Sequence, residues 1–224
     1  MLTDITTRGR TASDAFPGAR YDGSSGMNKA AFQEGFTEIE HKFALNELFD
    51  LNLFRESVLS LNPRNVTALE VRDAYYILDA RRDFIFRHRY DQELQHLTAK
   101  SFAADTEIRT EINLDLGQHK GDQQETVDAF FEALGVAWKG IIYKAIEVYN
   151  YPDCEIVYYE AWRDRHRRLR FVEFEAKNIS DRDAALTVIE RYKGLTGFEG
   201  RPREKKALVE IFFPELACDN HGSD

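Results

Sequence analysis

Glu38, Glu40 and Lys42 occupy alternate positions in the stretch FTEIEHKFAL, residues 36–45. If that stretch is a β-strand, the three side chains share a face, because alternate residues of a strand point the same way. Two carboxylates about 7 Å apart along the strand, with an ammonium two residues on, make a grip for a hard divalent cation and for a phosphate it bridges. For this stretch alone a solvated strand face, above an apolar one of Ile39, His41, Phe43 and Leu45, is the simpler explanation. What favours chemistry is recurrence. Arg87 and Arg89 alternate in DFIFRHRYD, and His96, Thr98 and Lys100 align in HLTAKSF. Glu107, Arg109, Glu111 and Asn113 alternate with Ile108, Ile112 and Leu114, and Glu173, Glu175 and Lys177 alternate with Val172, Phe174 and Ala176.

Collected, the charged faces hold acids Glu38, Glu40, Glu107, Glu111, Glu173 and Glu175 and bases Lys42, Arg87, Arg89, Lys100 and Arg109. With the apolar faces packed on helices, these side chains meet either solvent or one another. Enclosed, dry and unpaired they would be ruinous. Filled with water, metal ions and a polyanion, the same enclosure is stable. A triphosphate with divalent metals uses both signs at once: carboxylates hold the metal, and Lys and Arg hold phosphate oxygens.

The elements that must position these residues follow from periodicity. Strands are predicted over 36–45, 69–79, DFIFRHRYD, HLTAKSF and DTEIRTEINLDL, at the spacing of an antiparallel meander, and later over 136–149, 154–162 and LRFVEFEAK. A helix is predicted from Glu47 to about Leu61 with Asn46 as N-cap, another from Gly121-Asp122 to Leu134 stopped by Gly135, a third after Ser180 or Asp181 to about Tyr192, and a short one over 203–212. Residues 1–31 lack periodicity and are expected to be a flexible extension, residues 32–216 the folded domain and 217–224 a polar tail.

The 224 residues are enough for one domain with a substantial core. A net charge of −9 argues against nonspecific binding to nucleic acid or anionic membranes. Cys154 and Cys218 lack metal or disulfide spacing, and no apolar run reaches transmembrane length, so a cytoplasmic protein is expected.

The five charged motifs in order resemble the CYTH domain, the triphosphate tunnel metalloenzyme family, over roughly residues 36 to 213. The motifs are Glu38-Ile39-Glu40-His41-Lys42, Phe86-Arg87-His88-Arg89, Leu97-Thr98-Ala99-Lys100, Arg109-Thr110-Glu111 and Glu173-Phe174-Glu175. The resemblance implies an α+β fold, an eight-stranded mainly antiparallel β-tunnel, closed or nearly closed, with helices packed outside. It implies Mg²⁺ or Mn²⁺ on Glu38, Glu40, Glu111, Glu173 and Glu175. Glu38, Glu40, Lys42 and Glu111 take catalytic roles, and Lys42, Arg87, Arg89, Lys100, Arg109 and Lys144 bind the substrate. The sequence departs from the pattern at Asn113, where an acid is usual, and at Ile146, where an Arg is expected to face in. Lys139 is a second lysine on the same segment, and Glu160 is the candidate for an acid on the seventh strand.

The activity this implies is metal-dependent hydrolysis of inorganic tripolyphosphate or an organic triphosphate. Class IV-type adenylyl cyclase is the alternative on the same scaffold, and a non-catalytic polyphosphate- or RNA-end-binding module is the non-enzymatic one. The basic run Arg163, Arg165, Arg167, Arg168 and Arg170 reads as a solvated hairpin tip, or as a holder for an RNA 5′ end. The expected partner is a small-molecule triphosphate, with no membrane association, for a monomer or homodimer.

Overall fold

The computed structural model describes residues 36–92, 94–101, 108–117, 120–164, 166–179 and 181–218. The extension expected over 1–31, Glu107, Arg165 and residues 219–224 lie outside these, as do the side chains of Glu38 and Arg109. Among the described residues eight strands are present: β1 (Phe36–Leu45), β2 (Asn65–Leu78), β3 (Arg81–Tyr90), β4 (Gln95–Ser101), β5 (Ile108–Asp115), β6 (Val136–Asn150), β7 (Cys154–Trp162) and β8 (Arg168–Ala176). They pair antiparallel in the cyclic order β1-β5-β4-β3-β2-β6-β7-β8, which closes the sheet on itself.

The predicted five-strand meander is four strands long, β2 to β5. β1 pairs instead with β5 through residues 36–39 and with β8 through residues 40–45. The reason lies in the connection after β1, which carries a helix, α1 (Leu51–Ser60), and so cannot be a hairpin. That helix starts later than expected. Asn46 caps only a turn, accepting from the Leu48 amide, while Asp50 accepts from the Leu53 amide at 3.0 Å and is the true N-cap. Leu48 consequently falls outside the apolar stripe and is 92% exposed.

β1's outward residues Ile39 and Phe43 pack with Val172 and Phe174 of β8, Ile156 and Tyr158 of β7, Phe54 and Val58 of α1, and Ala185 and Ile189 of α3 (Arg182–Leu195). Phe198, just beyond α3, meets the rings of Phe43, Phe49, Phe54 and Phe174 with centroids 5.1 to 5.8 Å apart. This cluster fixes the parity of β1, because a slip of one residue would turn Phe43 inward and Lys42 outward. On the other side, α2 (Gln124–Ala133) lays Val127 and Phe131 on Ala74, Tyr76 and Leu78. Buried His88 sits beneath it between Gln124 and Gln95, 3.1 Å from each, a packing role in keeping with its outward parity. No helix among the described residues is long and apolar enough to cross a membrane.

Two short helices, α4 (Leu208–Phe212) and α5 (Glu215–Cys218), end the described chain. α4 differs from the helices packed outside. Leu208, Val209 and the following Phe213 join Val71, Tyr75, Ile142, Ile146, Tyr159 and Phe171, which are inner-face residues of β2, β6, β7 and β8. The strap leading to α4 lies along β1 where β5 has left it, with the Glu204 amide donating to the Lys42 carbonyl at 2.8 Å.

Candidate active site

The outward packing of Ile39, Phe43, Val172 and Phe174 leaves their sequence neighbours facing the interior. Along the β1–β8 seam Glu40 lies opposite Glu175, and Lys42 opposite Glu173. Lys42 is buried and its ammonium donates to the Lys206 carbonyl of the strap at 2.5 Å. Glu173 accepts from the Tyr159 hydroxyl at 2.6 Å. Burial raises the Glu173 carboxyl above its ordinary range and the charge of Glu40 adds to this, while Lys42 and the Tyr159 hydrogen bond oppose it. Glu175 is pushed up to about 7, first by burial, with Glu155 and Glu40 adding and Lys177, 2.9 Å away, opposing. Glu38 stands opposite Arg109 on the β1–β5 seam by backbone register.

A second wall is made by β3, β4 and β5. Lys100 and Glu111 are register partners and their charged groups lie 2.7 Å apart. Arg87 approaches Glu111 at 3.9 Å and donates to Thr98 at 3.3 Å, and its buried Nε has no hydrogen-bond partner. Asn113, where an acid was expected, accepts from Thr98 at 2.6 Å and donates to Glu111 at 3.0 Å. It therefore orients the Glu111 carboxylate while adding no negative charge.

The third group centres on a residue the sequence reading did not single out. Asp73, on β2, is completely buried. Its carboxylate takes a two-pronged contact from Arg89, at 2.7 and 2.8 Å, and Lys144 lies 2.8 Å away. Burial alone would raise this carboxyl, but the charges of Arg89 and Lys144 hold it well below the ordinary range. Lys144 is pushed down to about 8 by burial, with Asp73 opposing and Arg89 and Arg87 adding to the shift. Within VRDAYYIL, Asp73 shares strand parity with Val71 and Tyr75. An acid among apolar residues on a face that must be buried is the signal that points to it.

Several other candidates lie elsewhere. Lys139 faces outward and pairs with Asp128 of α2 at 2.6 Å. Glu160 is also on the outer side, paired with Arg168 at 3.1 Å, so it does not supply an inward acid on β7. Arg168 stacks over Trp162, and Arg170 donates to the Asn46 carbonyl, both outside the barrel. Ile146 does face in, but it packs in the apolar cluster around Tyr159 and Phe171 that α4 covers. Charged and apolar residues interleave on this wall: Asp73 lies between Val71 and Tyr75, and Lys144 between Ile142 and Ile146.

The donors along the β1–β8 seam are all carboxylate oxygens, which suit hard divalent cations. Burial is the first cause of the raised Glu173 and Glu175 carboxyls and the nearby charge of Glu40 adds to it, a cost that a bound cation would offset. Among the described residues no three His, Cys, Asp or Glu side chains are already gathered as a ligand cluster. The donor type fits a divalent ion.

No family model matches the sequence, and no curated protein matches it. Solved structures do resemble it. The PH1012 protein from Pyrococcus horikoshii OT3 superposes with a TM-score of 0.64 at 18% identity, covering 78% of this chain and 98% of that one. A conserved hypothetical protein from Pyrococcus furiosus gives 0.61 at 23% identity, over 78% and 99%. A "putative adenylate cyclase" from Vibrio parahaemolyticus gives 0.58 at 16% identity, over 80% and 99%. At these identities the likeness establishes the fold alone, a tunnel-like antiparallel sheet of the kind that the CYTH resemblance implies.

Proposed function

We propose that this tunnel binds a triphosphate along the charged residues of its inner wall and hydrolyses it with the help of a divalent metal ion, releasing phosphate. One observation carries the reading. Lys42, Arg87, Arg89, Lys100 and Lys144 converge on the interior from four strands, each near a carboxylate, so both signs of charge are available to one elongated ligand. An interior charged in this way costs stability, and a polyanion with cations is the occupant that uses it.

In this reading Arg87, Arg89, Lys100, Arg109 and Lys144 bind phosphate oxygens, with Lys42 at the β1–β8 seam. Glu38, Glu40, Glu173 and Glu175 would hold Mg²⁺ or Mn²⁺, with Glu111 opposite. The ion supplies charge neutralisation on the terminal phosphate. One of Glu111, Glu173 and Glu175, whichever is not engaged by the ion, would take the proton of an attacking water. Glu111 pairs with the ammonium of Lys100 and steers the phosphate-binding cations on its wall.

The test is phosphate release from tripolyphosphate and from ATP, with Mg²⁺ or Mn²⁺, in wild type and Glu40→Ala. Metal-dependent release that falls at least about 100-fold in Glu40→Ala is expected, as for loss of a group acting on the transition state. Wild-type turnover in the variant at saturating metal overturns the assignment. Cyclic AMP and pyrophosphate from ATP would make the protein a cyclase, and tight triphosphate binding without release would make it a receptor.

A further inference from the structure

Asp73 is a single buried anion between two cations carried by different strands, Arg89 on β3 and Lys144 on β6. Donor counting shows what this leaves over. Arg89 spends Nε and one Nη2 hydrogen on Asp73, so its remaining guanidinium hydrogens point elsewhere. Lys144 spends one of three hydrogens on Asp73, and its next nearest partner is the Tyr75 hydroxyl at 3.5 Å. The Tyr75 hydroxyl also reaches Asp73, at 3.3 Å. Without the carboxylate, the buried Lys144 ammonium and the half-buried Arg89 guanidinium would face each other with Arg87 nearby and nothing to hold them together.

We propose that Asp73 is a positioning residue. It fixes Arg89 and Lys144 on the inner wall, leaving their remaining hydrogens free to grip phosphate oxygens. The proposal rests on the triphosphate reading above and adds to it a residue that touches the cations rather than the substrate.

The dependence on protonation follows from the same contacts. Lys144 is faced by Asp73 and Tyr75 of β2, Arg87 and Arg89 of β3, the Tyr159 ring of β7 at 5.4 Å, and Glu173 of β8. Of these, Asp73 keeps its ammonium charged against burial and the two guanidinium groups. Loss of that charge makes Lys144 give up its proton at lower pH, and with it a phosphate contact.

The experiment is calorimetric binding of inorganic tripolyphosphate between pH 6 and 9 to wild type, Asp73→Asn and Asp73→Glu, with thermal midpoints recorded alongside. Asp73→Asn keeps the shape and removes the charge. Its affinity is expected to fall about 10- to 100-fold, the usual cost of losing a group that orients a ligand-binding one, and the alkaline loss of binding moves to lower pH. Asp73→Glu keeps the charge and moves it by one methylene. It should retain the wild-type pH limb with affinity several-fold weaker. A folded Asp73→Asn that binds as tightly as wild type with the limb unmoved overturns the proposal. If Asp73→Asn does not fold, unchanged affinity in Asp73→Glu overturns it. Wild type that binds but does not hydrolyse tripolyphosphate would defeat the hydrolase reading and leave this one to be decided by the variants. Wild type that does not bind at all defeats both.

Discussion

Glu175 lies between two other carboxylates, Glu40 across the β1–β8 seam and Glu155 on β7, with Lys177 as the near cation. Its raised carboxyl, at about 7 against an ordinary 4.5, has a consequence for stability. The native state binds the proton more tightly than the unfolded chain, so this group's contribution is complete below about pH 4.5 and is lost as pH rises through 7. His41 works in the opposite direction. Burial and the charges of Arg203 and Lys193 lower it to about 4, so its contribution is lost as pH falls below about 6.5. The two overlap, and a difference isolates Glu175. In metal-free buffer Glu175→Gln should be more stable than wild type at pH 8, by about 2 kcal/mol, and equal to it near pH 4.5, read from urea midpoints. Mg²⁺ should narrow the gap at pH 8. On the opposite wall, Lys100→Met should raise KM for tripolyphosphate about 10-fold with a smaller change in kcat, since it removes a contact common to bound substrate and transition state. Alternation put Glu40, Lys42, Arg87, Lys100, Glu111 and Glu173 on the charged faces of their strands, and the resemblance, not the alternation, turned those faces inward. Alternation missed Asp73 because the pairing that gives this acid its meaning comes from Arg89 and Lys144, 16 and 71 positions away, and only the closed sheet brings those together.

At the scale of elements, the junction of β6 and α4 is the tightest. A Cβ on Gly140 would come within 2.5 Å of the Trp138 ring and 2.6 Å of Phe213. These rings already meet edge to face at 4.8 Å, so an added methyl group forces at least one of them to shift. Gly140→Ala should therefore cost about 1–3 kcal/mol in urea unfolding and lift α4 from the inner wall, seen as faster proteolysis near residue 208. Most element positions were legible from the two periods and from Gly and Pro. The start of α1 was not, because Asn46 and Asp50 are both acceptable caps and only packing of Phe54 and Val58 under Phe198 chooses between them. The inward course of α4 was not legible either. Its apolar residues suit a sheet's outer face equally well, and what selects the inside is the uncharged patch of Ile146, Tyr159 and Phe171.

At the scale of the molecule, closure makes the two ends of the barrel sequence neighbours in space. The Phe43–Phe174–Phe198 cluster joins the first strand, the last strand and the loop after α3. Phe43→Ala, at its centre and 1% exposed, should cost about 3–5 kcal/mol by denaturant unfolding, while a Leu195→Ala change on the exposed side of α3 should cost under about 1 kcal/mol. The eight strands were each visible in the periodicity, but the ring came from the resemblance alone, since periodicity reports faces and is silent on partners. The division of β1 between two partners also bears on how the protein is made. Its first half waits for residues 108–111 and its second half for residues 170–175. More than a hundred residues separate Leu45 from Arg170, which at about 5–20 residues per second amounts to roughly 6–25 s of translation. Throughout that interval Ile39 and Phe43 sit on a strand with an open edge. The nascent chain should therefore be held by chaperones and sensitive to pausing before residue 170, and the finished protein should refold slowly for its size.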